Sequence, residues 1–187
     1  ITQTYNYISN YTLLINFTGD TEMIGGEGHI VEIDESLFSS RKYHKGKRTK
    51  QQWVFGGIDR NTDKCFLSPI PDRSADILLP IIKSKIKPGS TIYSDCWKSY
   101  DCLKHEGFQH LTVNHSITFK DKQTGCHTNT IEGLWKHVKQ LMPPTKKTDL
   151  FNPYLCEYMY RRSRKDGDRF ITFVKDIASV YPPSTQD

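Results

Sequence analysis

Between Gly28 and Pro144 the period of the hydrophobic pattern changes in a set order, and that order restricts the fold more than any single residue does. Three β-type runs come first, His29–Ile33, Gln52–Ile58 and Cys65–Ile70, closed by turn residues such as Asp59-Arg60-Asn61 and Pro69–Asp72. Their short connections predict an antiparallel meander. Ser74 then serves as an N-cap for a helix through Ile86, with Ile77, Leu78, Ile81, Ile82 and Ile86 on one face and Pro88-Gly89 as its stop. A strand at Thr91–Ser94, a helix over roughly Trp97–His105 and a strand near His110–Asn114 alternate as in a parallel crossover. Thr128 opens the strongest helical signal, because Ile131, Leu134, Trp135, Val138 and Leu141 share one face before Pro143-Pro144 ends it. The class is mixed α/β. Two further helices, split near Lys165–Asp168, occupy Leu150 to Tyr181. Residues 1–27 show only a weak helical period in Tyr7, Tyr11, Leu14 and Ile15, closed by Gly25-Gly26. The expected organisation is an N-terminal segment over residues 1–27, a core over 28–145, and a C-terminal helical extension of the same domain over 146–187.

A chain of 187 residues with 36% hydrophobic and 25% charged residues is large enough for one main domain and too apolar for the disordered class. Its net charge of +5 conceals a split. Residues 1–40 hold six acids and no Lys or Arg, so the remainder carries all 26 basic residues against 15 acids, or +11. That excess suits a polyanionic partner and equally a solvated surface. No run approaches the ~20 apolar residues needed to span a bilayer, and the first ten residues lack both a basic start and an apolar run. The five cysteines form no pair at two-residue spacing, which suits free thiols in a reducing compartment. The group Cys102, His105, His110, His115, Cys126 and His127 matches no common zinc pattern.

Three acids fall where chemistry is usually placed. Asp34 is expected at the end of a strand whose alternation aims it away from Ile33. Asp95 follows Thr91–Ser94, at the carboxyl end of a strand in an α/β sheet. Glu132 lies in the first turns of the strong helix, rotated about 100° from Ile131 and so beside the apolar stripe. Phosphodiester cleavage and transfer by two Mg²⁺ ions requires a few carboxylate ligands, with water and substrate phosphate completing the shells. Chance placement at strand ends is the competing explanation for each acid alone.

Taken together, three blocks carry a resemblance. Ile24-Gly25-Gly26-Glu27-Gly28-His29-Ile30-Val31-Glu32-Ile33-Asp34-Glu35-Ser36, then Tyr93-Ser94-Asp95-Cys96-Trp97 with Tyr100, then His127-Thr128-Asn129-Thr130-Ile131-Glu132-Gly133-Leu134-Trp135 with Lys139, resemble the catalytic blocks of DDE transposases of the Merlin superfamily, related to ISXO-like bacterial insertion-sequence transposases. Glu157 to Arg162, followed by Phe170, resembles the family's C-terminal stretch. The resemblance implies an RNase H-like fold with a central five-stranded mixed sheet flanked by helices. It implies DNA strand cleavage and strand transfer, with Asp34, Asp95 and Glu132 as catalytic residues holding two Mg²⁺ or Mn²⁺ ions. In some bacterial relatives the third position is not Glu, and Asn129 is the nearest polar alternative. The implied partners are transposon ends and target DNA, with a homodimer synapsing two ends and no membrane. The implied location is the nucleus of a eukaryote or the cytoplasm of a bacterium. Relatives carry a DNA-binding region before the first block, and a chain opening on Ile1 with 23 residues ahead of that block is expected to be a fragment.

Basic residues surround these blocks. Arg41, Lys42, Lys45, Lys47, Arg48 and Lys50 follow the first catalytic strand without an intervening acid, and either bind DNA phosphates or cap a solvated hairpin. Lys136 and Lys139 share a helical side with Glu132, and Arg161 and Arg162 are further phosphate-binding candidates. His127 could orient a phosphate or relay a proton, or could be structural. Trp53, Trp97 and Trp135 are expected in the core or beside the site. Two rival readings are a domesticated, non-catalytic nucleic-acid-binding domain and an unrelated RNase H-like nuclease.

Overall fold

Residues 23–38, 51–114, 121, 123–142, 151–164 and 167–180 are described by a computed structural model of the chain. The periodic residues of the expected N-terminal helix, Tyr7 to Ile15, lie outside that set. So does the basic run Arg41, Lys42, Lys45, Lys47, Arg48 and Lys50.

The strands are β1 (Ile30–Phe38), β2 (Gln52–Asp59), β3 (Cys65–Ile70), β4 (Thr91–Asp95) and β5 (Gln109–Val113). They form one sheet in the order β3-β2-β1-β4-β5. The meander β1-β2-β3 is antiparallel, whereas β1, β4 and β5 run parallel. Asp59 builds the β2–β3 turn: it is buried and accepts hydrogen bonds from the N–H of Asn61, the Thr62 hydroxyl, the N–H of Gly25 and the His29 ring. Burial alone would raise the Asp59 carboxyl, but these donors hold it below the usual carboxylate range.

The helices of this unit are α1 (Ala75–Lys85), a 3-10 helix (Lys98–His105) and α2 (Asn129–Leu141). Leu78 and Ile82 of α1, with Ile86, pack on Val31, Ile33, Phe55 and Ile92, and Tyr100 and Leu103 close the same core. The opposite face lies under α2, which buries Ile131, Leu134, Trp135 and Val138. Among the described residues no helix is long and apolar enough to cross a membrane.

Two expectations need correction, the end of the first strand and the burial of Leu141. Asp34 does not end its strand, because β1 continues to Phe38 on pairing with β2 alone. The helix expected after Trp97 is present over Lys98–His105 and takes the 3-10 form, with Tyr100 and Leu103 buried three residues apart. Leu141 is 68% exposed: it is the final residue of α2, beyond Val138 and the end of the buried stripe.

The chain divides into two compact units, Glu22–Thr148 and a second formed by Ile1–Thr21 with Asp149–Asp187. In the second, α3 (Phe151–Ser163) and α4 (Arg169–Val180) are joined by Tyr160 and Arg164, which both donate to the Asp176 carboxylate, and by an edge-on contact of Tyr160 with Phe173.

Candidate active site

Alternation on β1 divides its residues between the two faces of the sheet. Val31 and Ile33 enter the core with α1, while Glu32, Asp34 and Phe38 meet α2. The β1–β4 ladder ends at the pair Glu32–Tyr93. Asp34 keeps its partner Gly56 on β2, and Asp95 keeps Val113 on β5. The sheet therefore opens between β1 and β4 where these two acids emerge. Asp95 is oriented by the Trp97 N–H, which donates to Oδ1 at 3.0 Å. Glu132 is exposed in the first turn of α2, where its Oε1 accepts the Thr128 hydroxyl at 3.2 Å.

Asp34 feels the charges of both other acids. Burial raises the Asp34 carboxyl from 3.8 to about 6, and the negative charges of Asp95 and Glu132 push in the same direction. The Glu35 N–H and the Trp135 indole oppose this, the indole Nε1 donating to Asp34 Oδ2 at 3.0 Å. Trp135 thus lies beside the site as well as in the core. Its room comes from Gly56, where an added Cβ would lie 2.7 Å from Trp135 Cη2 and 2.9 Å from Cζ2. Gly56→Ala is expected to cost about 1–3 kcal/mol of stability through overpacking. It should also displace the indole from Asp34, a pair of effects read as a lower urea midpoint and a shifted tryptophan emission.

Of the basic candidates, Lys139 lies closest in effect. Its ammonium sits 5.2 Å from the centroid of the Phe38 ring, and burial lowers its pKa while the Asp34 charge pulls it back up. Lys136 is exposed on α2. Arg161 and Arg162 belong to the second unit, where Arg161 pairs with Glu157 at 2.6 Å and Arg162 donates to the Tyr158 hydroxyl at 3.4 Å. Asn129 is exposed at the start of α2. His127 is held by Arg60, whose Nη2 donates to its Nδ1 at 2.7 Å and its carbonyl at 2.8 Å. An accepting Nδ1 leaves the ring proton on Nε2.

Some neighbours were not anticipated. Glu35, on the opposite face, accepts the Tyr100 hydroxyl, and burial together with the Asp34 and Asp95 charges raises it from 4.5 to about 7 against the pull of Tyr100 and Arg73. Arg73 lies 4.3 Å from the ring centroids of both Trp53 and Trp97, the latter 38% exposed. Glu32 binds Arg60 Nε at 2.5 Å. An acid two positions before Asp34 shares its strand face, so alternation could have singled out Glu32.

Among the described residues no three His, Cys, Asp or Glu side chains close into a metal cage. The donor chemistry nevertheless fits a hard divalent cation, because all three candidates are carboxylates and their mutual repulsion at Asp34 is what such a cation relieves.

Sheet order and strand directions, an antiparallel β1-β2-β3 meander continued by parallel β4 and β5, define an RNase H-like domain. The family profile described as ISXO2-like transposase domain matches residues 23–163, and the chain belongs to that family. An "Uncharacterized transposase-like protein" of Haemophilus influenzae is 33% identical over 116 residues, 61% of this chain and 93% of the relative. Solved integrases are similar at low identity. The catalytic core domain of BIV integrase is 12% identical with a TM-score of 0.46, covering 82% of this chain and 98% of that one. The HTLV-2 integrase catalytic core domain in complex with magnesium is 11% identical with a TM-score of 0.39, covering 86% and 90%. A chain of the simian T-cell lymphotropic virus intasome is 13% identical with a TM-score of 0.42, and the 88% of this chain that aligns spans only 53% of it.

Proposed function

We propose that this chain is a DDE transposase catalytic domain that cleaves DNA at transposon ends and joins the resulting 3′-hydroxyl to target DNA. The observation behind this reading is the Asp34 carboxyl, raised to about 6 by burial and, further, by the charges of Asp95 and Glu132 on two other elements. Asp34, Asp95 and Glu132 would hold two Mg²⁺ or Mn²⁺ ions, whose chemistry is activation of a water or 3′-hydroxyl and stabilisation of the leaving oxygen.

The chain's own groups aim these ligands. The Trp135 indole fixes Oδ2 of Asp34, the Trp97 amide fixes Oδ1 of Asp95, and the Thr128 hydroxyl restrains Glu132. Lys139, beside Asp34, and Lys136 supply positive charge for phosphates flanking the cleaved bond. For Arg41, Lys42, Lys45, Lys47, Arg48, Lys50, Arg161 and Arg162 the proposed role is binding of DNA phosphates. His127 and Asn129 support the start of α2. A homodimer would synapse two ends, in the nucleus of a eukaryotic host or the cytoplasm of a bacterial one.

The test is cleavage and joining of a labelled duplex bearing a transposon end. Products are expected with Mg²⁺ or Mn²⁺ and lost with chelator or with Asp95→Ala. Activity that survives Asp95→Ala overturns the mechanism. Metal-independent DNA binding without cleavage favours the non-catalytic, domesticated reading.

A further inference from the structure

Behind the three acids lies a second tier of contacts. Glu32 is 0% exposed, and its two oxygens are divided between different elements. Oε2 accepts the Ile131 N–H at 2.9 Å, one of the amides at the start of α2 that the helix itself leaves without a partner. Oε1 accepts Arg60 Nε at 2.5 Å. From there Arg60 reaches the carbonyl and Nδ1 of His127, in the segment leading into α2, and its guanidinium carbon lies 4.8 Å from the centroid of the Tyr93 ring on β4.

Three of the groups so joined are close chain neighbours of the three acids. Glu32 is two residues before Asp34 on the same face of β1, Tyr93 is two before Asp95 on β4, and Ile131 immediately precedes Glu132. Glu32 and Tyr93 are also the last pair of the ladder before the strands part. We infer that Glu32, with Arg60, is a positioning residue that sets the spacing of Asp34, Asp95 and Glu132, and through it the affinity of the site for divalent cations. Glu32 touches neither ion nor substrate. It acts by tying the first turn of α2 to β1, so that the exposed Glu132 is presented at a defined distance from Asp34. Partners behind metal-ligating side chains commonly change metal affinity or activity 10- to 100-fold when altered.

This inference rests on the metal-binding reading of the three acids, and the experiment separates the two. Glu32→Gln keeps the volume of the side chain and an oxygen for the Ile131 amide but gives up the charged bridge to Arg60. Mn²⁺ binding by titration calorimetry is expected to weaken about 10-fold or more, and the Mg²⁺ concentration needed for half-maximal cleavage to rise in parallel. Turnover at saturating Mn²⁺ should stay within a few-fold of the parent, a split that general loss of folding would not produce. In the metal-free protein, amide exchange at Ile131 and Glu132 should accelerate about 10-fold while the strands stay protected. Should Glu32→Gln not fold, Arg60→Lys, which retains the charge but loses the reach to His127, is read in the same way. Unchanged exchange at Ile131 and Glu132, or unchanged Mn²⁺ affinity in a parent that binds the ion, overturns the inference. A parent that binds no divalent cation overturns the metal-binding reading instead, and with it the step from spacing to cation affinity.

Discussion

Asp34→Asn is expected to abolish DNA cleavage, by about 10³-fold, while making the metal-free protein more stable at pH 8. The two effects share one cause. Asp34 is held partly buried within reach of the Asp95 and Glu132 charges, so its carboxyl rises from 3.8 to about 6. The folded state therefore binds this proton more tightly than the unfolded chain does. Its contribution to stability is fully present below about pH 4 and is lost as pH rises through about 6. A shift of roughly 2 units corresponds to about 3 kcal/mol, an upper figure for a partly exposed group. Glu35, raised from 4.5 to about 7, adds a loss of the same sign across a slightly higher window. Asparagine keeps the shape and carries no charge, so it removes the penalty together with the ligand. Thermal melts should show Asp34→Asn gaining on the parent between pH 5 and pH 8, and Mg²⁺ should narrow the gap by stabilising the parent alone. An advantage that is flat with pH, or cleavage that persists in the variant, refutes the account.

The sequence displayed the succession of strands and helices because short β-type runs and helical periods alternate between turn residues, and β2 and β3 appear at nearly the expected limits. Asp95 was legible for the same reason, since it ends its run in both sequence and structure. The true length of β1 was not. Glu35 and Ser36 interrupt its alternation with polar side chains, and the pairing that continues the strand to Phe38 comes from Gln52, across a segment with no apolar pattern of its own. The helix after Trp97 was legible but its 3-10 form was not, because its apolar residues are too few to distinguish a spacing of three from one of 3.6. That Asp34 and Glu132 influence one another could be suspected only from the blocks in combination, because it depends on the docking of α2 against β1, where Trp135 reaches Asp34, and not on local spacing. The brace behind them had still less signal: Arg60 is 28 positions from Glu32 and 67 from His127, and it reads locally as a turn residue.

Arg60→Met should be the most destabilising exchange in this region, at about 3–5 kcal/mol, because it leaves Glu32 as an uncompensated carboxylate with 0% exposure. It also removes the donors to His127 and the cation over the Tyr93 ring. Urea unfolding should show a lower midpoint with an unchanged slope, the signature of lost stability rather than altered compactness. The double variant Glu32→Met with Arg60→Met should recover most of the loss, since an apolar pair of similar volume avoids the buried charge. Recovery should stop short of the parent by about 1–3 kcal/mol, because the Ile131 N–H then has no acceptor. A double variant no better than Arg60→Met alone would show that the arginine acts through packing instead of through Glu32. Two acids on one face of β1, two residues apart, are thus predicted to respond in opposite ways. Glu32 is neutralised within the protein by Arg60, and losing that partner is ruinous to the fold. Asp34 receives a hydrogen bond from Trp135 but faces other negative charges, and the compensation the fold withholds is what a bound cation would supply.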